Sequence, residues 1–72
     1  SDEPMRDPYG DVVHGDTVDT EFRDPDTGDI VRGRGIIERI ESGKLGAIYH
    51  TRVGERVYPL SRRGIKKIII NS

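Results

Sequence analysis

The chain contains no cysteine and no tryptophan, and only three tyrosines and one phenylalanine supply aromatic surface among its 72 residues. Without cysteine there is neither a disulfide framework nor a thiolate metal site, so folding rests on packing and turns, or on a partner. The longest uninterrupted apolar run is Ile68-Ile69-Ile70, far short of a membrane span, and no charged-then-apolar leader is evident. A cytoplasmic protein is therefore expected. Helical periodicity is also missing, which leaves strands and turns as the material of the fold.

The motifs of catalysis are absent as well. There is no cysteine nucleophile and no Gly-x-Ser-x-Gly, and "GRGIIERI" lacks the Lys-Ser/Thr ending of a phosphate loop. Ser42, Ser61 and Ser72 fall in turns or at the terminus, where serine ordinarily serves the backbone. His14 and His50 are the only histidines. Asp11 and Asp16 lie near the first, but no His-x-x-x-His spacing supports a metal site. "DPDTGD" has the oxygen-rich look of a calcium loop without the twelfth-position carboxylate in register. No enzyme, cofactor or metal is expected.

What the chain does have is period two. In "DTVDTEF", Val18, Thr20 and Phe22 point one way while Thr17, Asp19 and Glu21 point the other. "DIVRGRGIIERI" reads as a second strand. Ile37 and Ile40 fail to alternate with Ile36, so a bulge or sharp coil is expected near Gly35. "ESGK" is a turn with Gly43 in the left-handed position, and "KLGAIYHTRV" is a central strand with both faces partly apolar. "VGE" closes a tight turn on Gly54. "RVYPL" follows as a strand that Pro59 marks as an end or an edge. "SRRG" suffices for one helical turn, and "IKKIII" is the last strand.

Two stretches look alike: "RDPYGDVV" (6–13) and "RDPDTGDIV" (23–31). The aspartate can accept backbone N–H bonds, the proline presets the first turn dihedral, and the glycine tolerates closure. The likeness is thus expected to be one turn recipe used twice, not a repeat, since "SDEP" resembles nothing after the second copy. Residues 1–14 read as a flexible acidic arm, ordered only if Met5 or Tyr9 packs back, and 15–72 as the domain.

Net charge of −1 conceals a division. Residues 1–30 carry ten acidic side chains against Arg6 and Arg23, whereas 31–72 carry ten basic ones against Glu38, Glu41 and Glu55. Arg32 and Arg34 share a strand face because they are two apart, and Arg62, Arg63, Lys66 and Lys67 crowd into "SRRGIKK". Such cations meet phosphates, with help from backbone donors beside Gly33, Gly35 and Gly64. Tyr58 or Tyr49 could add a stacking surface. The competing expectation is neutralisation by cross-strand pairs.

The order of elements resembles the SH3-like small barrels of the KOW and Tudor type. "HGDTV" looks like their opening strand, "RGRGIIERIESGKLGAIYH" like their strand, turn and return strand, and "RVYPLSRRGIKKI" like their closing strand, helical turn and last strand. The resemblance covers about Gly15 to Ile70 and implies an all-β, five-stranded SH3-like barrel that binds nucleic acid or docks on a protein. Composition weighs against two branches. Four aromatics cannot make both a core and a methyl-lysine cage, and a proline-peptide groove usually needs Trp.

The expected core is Val18, Phe22, Ile30, Ile37, Ile40, Leu45, Ala47, Ile48, Val57, Leu60, Ile65 and Ile68. The expected function is weak, sequence-tolerant nucleic-acid binding through Arg32, Arg34, Arg62, Arg63, Lys66, Lys67 and Tyr58. The alternative is docking on an acidic protein surface, as a small regulatory or viral accessory factor. The triple isoleucine on an edge strand suggests a monomer in weak equilibrium with a homodimer sensitive to Ile69.

Overall fold

A computed structural model describes residues 6–70. Five strands follow in order: β1 (Thr17–Arg23), β2 (Ile30–Gly43), β3 (Gly46–Val53), β4 (Arg56–Leu60) and β5 (Ile65–Ile68), with one 3₁₀ turn, Arg62–Gly64, between β4 and β5. All pairings are antiparallel, in the order β4-β3-β2-β1-β5. The molecule is all-β, one sheet of five strands that does not close.

The long strand β2 serves two neighbours. Its first half, Ile30–Ile36, pairs with β1, and its second half, from Gly35, pairs with β3. Both partners are engaged only at Gly35 and Ile36. There β2 passes so near β3 that a Cβ on Gly35 would stand 2.7 Å from the Arg52 carbonyl and 2.8 Å from Thr51 Cγ2. Only glycine admits that approach. The irregularity expected at Gly35 falls a few residues later, as a register shift between Ile37 and Arg39.

The core lies on the inner face: Val12, Val18, Ile37, Ile65 and Ile68, with Ile40 and Tyr49 packed against it. Beside it the Phe22 and Tyr58 rings meet at 4.7 Å, with Leu60 buried nearby. Four expected core residues lie elsewhere. Ile30, Ile48 and Val57 are exposed, each a strand position out of step with its buried neighbours, and Leu45 is fully exposed in the β2–β3 turn. That turn is Lys44–Leu45, and its positive φ belongs to Gly46 (113°), not Gly43. The inner positions of β2 before Ile37 are Val31, Gly33 and Gly35. Two glycines there left the buried face without an apolar signal, and Ile30 and Ile36 on the other face supplied a false one.

Buried threonines complete the core. Thr20 Oγ1 donates to the Gly33 carbonyl at 2.7 Å and Thr51 Oγ1 to the Tyr49 carbonyl at 3.0 Å, so neither hydroxyl is orphaned.

The two look-alike stretches share an aspartate cap but close turns of different length, three residues on at Gly10 and four on at Gly28, and of the two glycines Gly28 has the positive φ (79°). The Tyr9 N–H donates to Asp7 Oδ1 at 2.8 Å, and the Asp26 N–H donates to Asp24 Oδ1 at 2.8 Å. Each turn is closed by its glycine N–H, Gly10 to the Asp7 carbonyl and Gly28 to the Asp24 carbonyl. Residues 6–14, the described part of the expected arm, are bonded to the sheet. The Ile68 N–H donates to the Pro8 carbonyl at 2.7 Å on the edge of β5, Arg6 pairs with Asp16, and Val12 enters the core. Met5 lies outside the described residues. Of the three terminal isoleucines Ile68 is buried, Ile69 half-buried and Ile70 exposed.

The close approach at Gly35 gives a direct test. Gly35→Ala is expected to cost about 1–3 kcal/mol by overpacking. Gly33→Ala meets only Val53 Cγ1, at 3.5 Å, and should be neutral or gain about 0.5–1 kcal/mol from reduced backbone entropy. Urea midpoints read both. Equal midpoints for the two variants would refute the role given to Gly35.

Candidate nucleic-acid interface

The outer face of β1 and β2 is set by the hairpin that joins them. Counting back from the loop, Arg23 pairs with Ile30, Glu21 with Arg32 and Asp19 with Arg34. Each outward cation of β2 therefore stands opposite an outward carboxylate of β1. Arg32 Nη2 lies 3.1 Å from Glu21 Oε2 and Arg34 Nε lies 3.4 Å from Asp19 Oδ1. The expected neutralisation is thus present for these two arginines. It could have been counted from the sequence once "DPDTG" was taken as the loop. Pairing does not hide them: their side chains remain 72% and 69% exposed.

On β1's other side β5 departs from period two. Asp19 pairs with Lys67 but Thr20 pairs with Ile65, which leaves Lys66 as the extra residue of a bulge. A regular strand would send adjacent lysines to opposite faces. Here Ile65 and Ile68 are both buried while Lys66 and Lys67 are both exposed. Lys66 lines a shallow depression of about 350 Å³ together with Arg32, Arg34, Asp19 and Glu21. Four of the expected residues thus share one surface, as a row of cations on β5, a row of carboxylates on β1 and a second row of cations on β2. Among the described residues, neither lysine has a carboxylate within 4.0 Å.

The other three expected residues do not join them. Arg62 turns inward and donates to the carbonyls of Ile65 (2.7 Å), Gly10 (3.0 Å) and Tyr9 (3.4 Å), tying the N-terminal stretch to the 3₁₀ turn. Arg63 is exposed on that turn, beside a groove of about 430 Å³ lined by Phe22, Pro25, Tyr58 and Leu60. Tyr58 is only 9% exposed. Its ring packs on Phe22 and under the Arg56 guanidinium, so it offers no stacking platform. Of the backbone donors expected to help, the Gly64 N–H is spent on the Ser61 carbonyl, and Gly35 lies between β1 and β3, where β2 is paired on both sides.

Elsewhere on the outer face the charges are likewise matched. Arg52 pairs with Glu38, and His50 Nε2 lies 3.0 Å from Glu41 Oε1, which Arg39 also approaches. His14 is exposed in the turn before β1. No helix among the described residues is long and apolar enough to cross a membrane.

Asp24 explains why Tyr58 is fixed. Its buried carboxylate accepts from the N–H groups of Asp26 and Thr27 and from the Tyr58 hydroxyl at 3.4 Å, with Arg56 3.7 Å away. Arg56 also bonds Asp26 in the same loop. The hairpin loop is thereby pinned to edge strand β4.

Comparison of the chain with protein families, with curated proteins and with solved structures finds no match.

The Asp24 network predicts an acid-sensitive fold. The Asp26 N–H, then the Thr27 N–H, the Arg56 charge and the Tyr58 hydroxyl hold this carboxyl below the usual carboxylate range, against the opposing effect of burial. Its folded-state pKa lies under the unfolded value of about 3.9. The stabilisation is therefore complete above that value and is lost as pH falls through the folded one. Asp24→Asn should melt lower than the parent at pH 7, and the gap should narrow as pH is lowered below the unfolded value of about 3.9. A gap that stays constant over this range would show that Asp24 does not act through its charge.

Proposed function

We propose that the chain is a small, cytoplasmic, non-enzymatic binding module that holds nucleic acid weakly and without sequence preference on the outer face of β5, β1 and β2. The observation that carries this reading is the bulge in β5. It brings Lys66 and Lys67 to the surface that Arg32 and Arg34 occupy, so that four cations face two carboxylates. Phosphate contacts of this kind orient a ligand without reading its bases. The surplus is small, which makes the binding weak and salt-sensitive. The SH3-like reading of the fold, of KOW and Tudor type, draws support from the strand order, from β2 shared between two neighbours, and from the single 3₁₀ turn before β5. On this reading the module works as a monomer, or as a weak homodimer in which a second copy displaces the Pro8 contact from the β5 edge.

A second reading, docking on an acidic protein surface, is favoured by the groove beside Phe22 and Tyr58. Its lining combines Phe22, Pro25, Tyr58 and Leu60 with Arg23 and Arg63 against one carboxylate, Glu21, a combination that suits a segment with apolar and acidic side chains.

With two to three phosphates neutralised, log affinity should fall against log salt with a slope of about −2 to −3 on duplex DNA. Replacing both Lys66 and Lys67 by Gln should weaken binding at low salt about tenfold or more and flatten that slope by up to about 2. A low-salt titration decides. Binding by the double variant equal to the parent's refutes this face, and no binding by either at about 100 μM refutes nucleic acid as the ligand. A protein partner lost on Arg63→Glu but kept by the lysine variant would mark the second reading.

A further inference from the structure

We infer that the nucleic acid this face prefers is a duplex rather than a single strand, an inference that rests on the nucleic-acid reading above. Two features of the surface point there. The first is the arrangement of charge. Asp19 and Glu21 stand on β1, the middle strand of the three, with Lys66 and Lys67 on one side and Arg32 and Arg34 on the other. Neighbouring strands lie about 4.8 Å apart, so the two cation rows are about 10 Å apart with carboxylates between them. A single file of phosphates laid along the middle meets both carboxylates. Laid along either side it meets only two cations. A duplex presents two files flanking a groove, and B-form grooves of about 6 and 12 Å bracket the spacing of the rows. The carboxylates then face base edges, whose amino groups are hydrogen-bond donors, and not phosphates.

The second feature is where the aromatic rings are. Single-strand binding draws much of its energy from bases stacked on exposed rings. Phe22 and Tyr58 pack on each other on the inner face, Tyr49 packs against the core, and Tyr9, 70% exposed, belongs to the turn that precedes the sheet. The strands β5, β1 and β2 thus carry no outward ring, Tyr9 standing beyond them in the turn whose Pro8 carbonyl bonds the edge of β5, and contact with a duplex backbone requires none.

The test uses the full chain at low salt with a mixed-sequence duplex of about 12 base pairs, a little over one helical turn, and each of its single strands. Duplex DNA and duplex RNA form separate arms that tell which backbone is held. Either duplex is expected to bind about tenfold or more tighter than its own strands. Joint replacement Asp19→Asn and Glu21→Gln removes the middle row while keeping its shape, and should raise single-strand affinity more than duplex affinity, narrowing that ratio. Single strands bound as tightly as the duplexes by the parent would overturn the inference and leave the nucleic-acid reading standing. A ratio unmoved by the double replacement would overturn the role given to the carboxylates. Failure of every probe to bind would remove the inference together with the reading beneath it.

Discussion

Two backbones can pass at Gly35 only because one of them has no side chain. A Cβ there would lie inside van der Waals contact with the Arg52 carbonyl, the Thr51 methyl and Val53, so β2 and β3 lie against each other at this point as a condition of the fold. Most of the architecture depends on that contact. It lets β2 turn from β1 toward β3 within a single strand. It places Val18, the register partner of Gly35, and Ile37, two residues on, in the fully buried centre. So small a chain buries only about 60% of its unfolded surface. With a thin core, the placing of one strand crossing weighs as much as the hydrophobicity of the side chains around it.

The charge division of the chain acquires a physical meaning from the same topology. An acidic first half and a basic second half would repel within themselves if each folded alone. Antiparallel pairing interleaves them instead, setting β1 between β5 and β2. Exposed pairs such as Glu21–Arg32 contribute little to stability, about 0.2–1 kcal/mol each. Their larger effect is on the field outside: four cations in two rows are reduced to a surplus of two, which lies on the lysine row because Arg32 and Arg34 are the paired ones. The surface is patterned more than it is positive.

Much of this was legible in the residues. Period two located β1, the turn residues between strands bounded the others, and the Asp-Pro turns, the Gly54 turn and the short helical turn after Pro59 were readable from their chemistry. Asp24 in particular behaves as its residue type suggests, accepting from the backbone two and three residues on. What was not legible shares a cause. Gly33 and Gly35 face inward, so the buried side of β2 has no apolar pattern to find. Thr20 was placed on the inner face, but the Gly33 carbonyl that satisfies its hydroxyl is visible only with the partner strand, and Thr51 is buried with its hydroxyl on the Tyr49 carbonyl of its own strand. The positive φ at Gly46 rather than Gly43 moves the turn and carries Leu45 out of the strand to which its hydrophobicity assigns it.

The cations were likewise easy to find and hard to place. "SRRGIKK" reads as one basic cluster, yet Arg62 is turned to backbone carbonyls, Arg63 stands by a separate groove, and only the two lysines reach the face of Arg32 and Arg34. The bulge at Lys66 makes the difference. In a regular strand Lys66 and Lys67 would point to opposite faces, and burying either ammonium would cost several kcal/mol. Inserting one unpaired residue removes that conflict: Ile65 and Ile68 both enter the core and both lysines reach solvent. The apolar demand of a thin core and the charge of the surface are met by a single departure from period two, which is why the surface proposed as functional adjoins the most irregular pairing of the β1–β5 ladder.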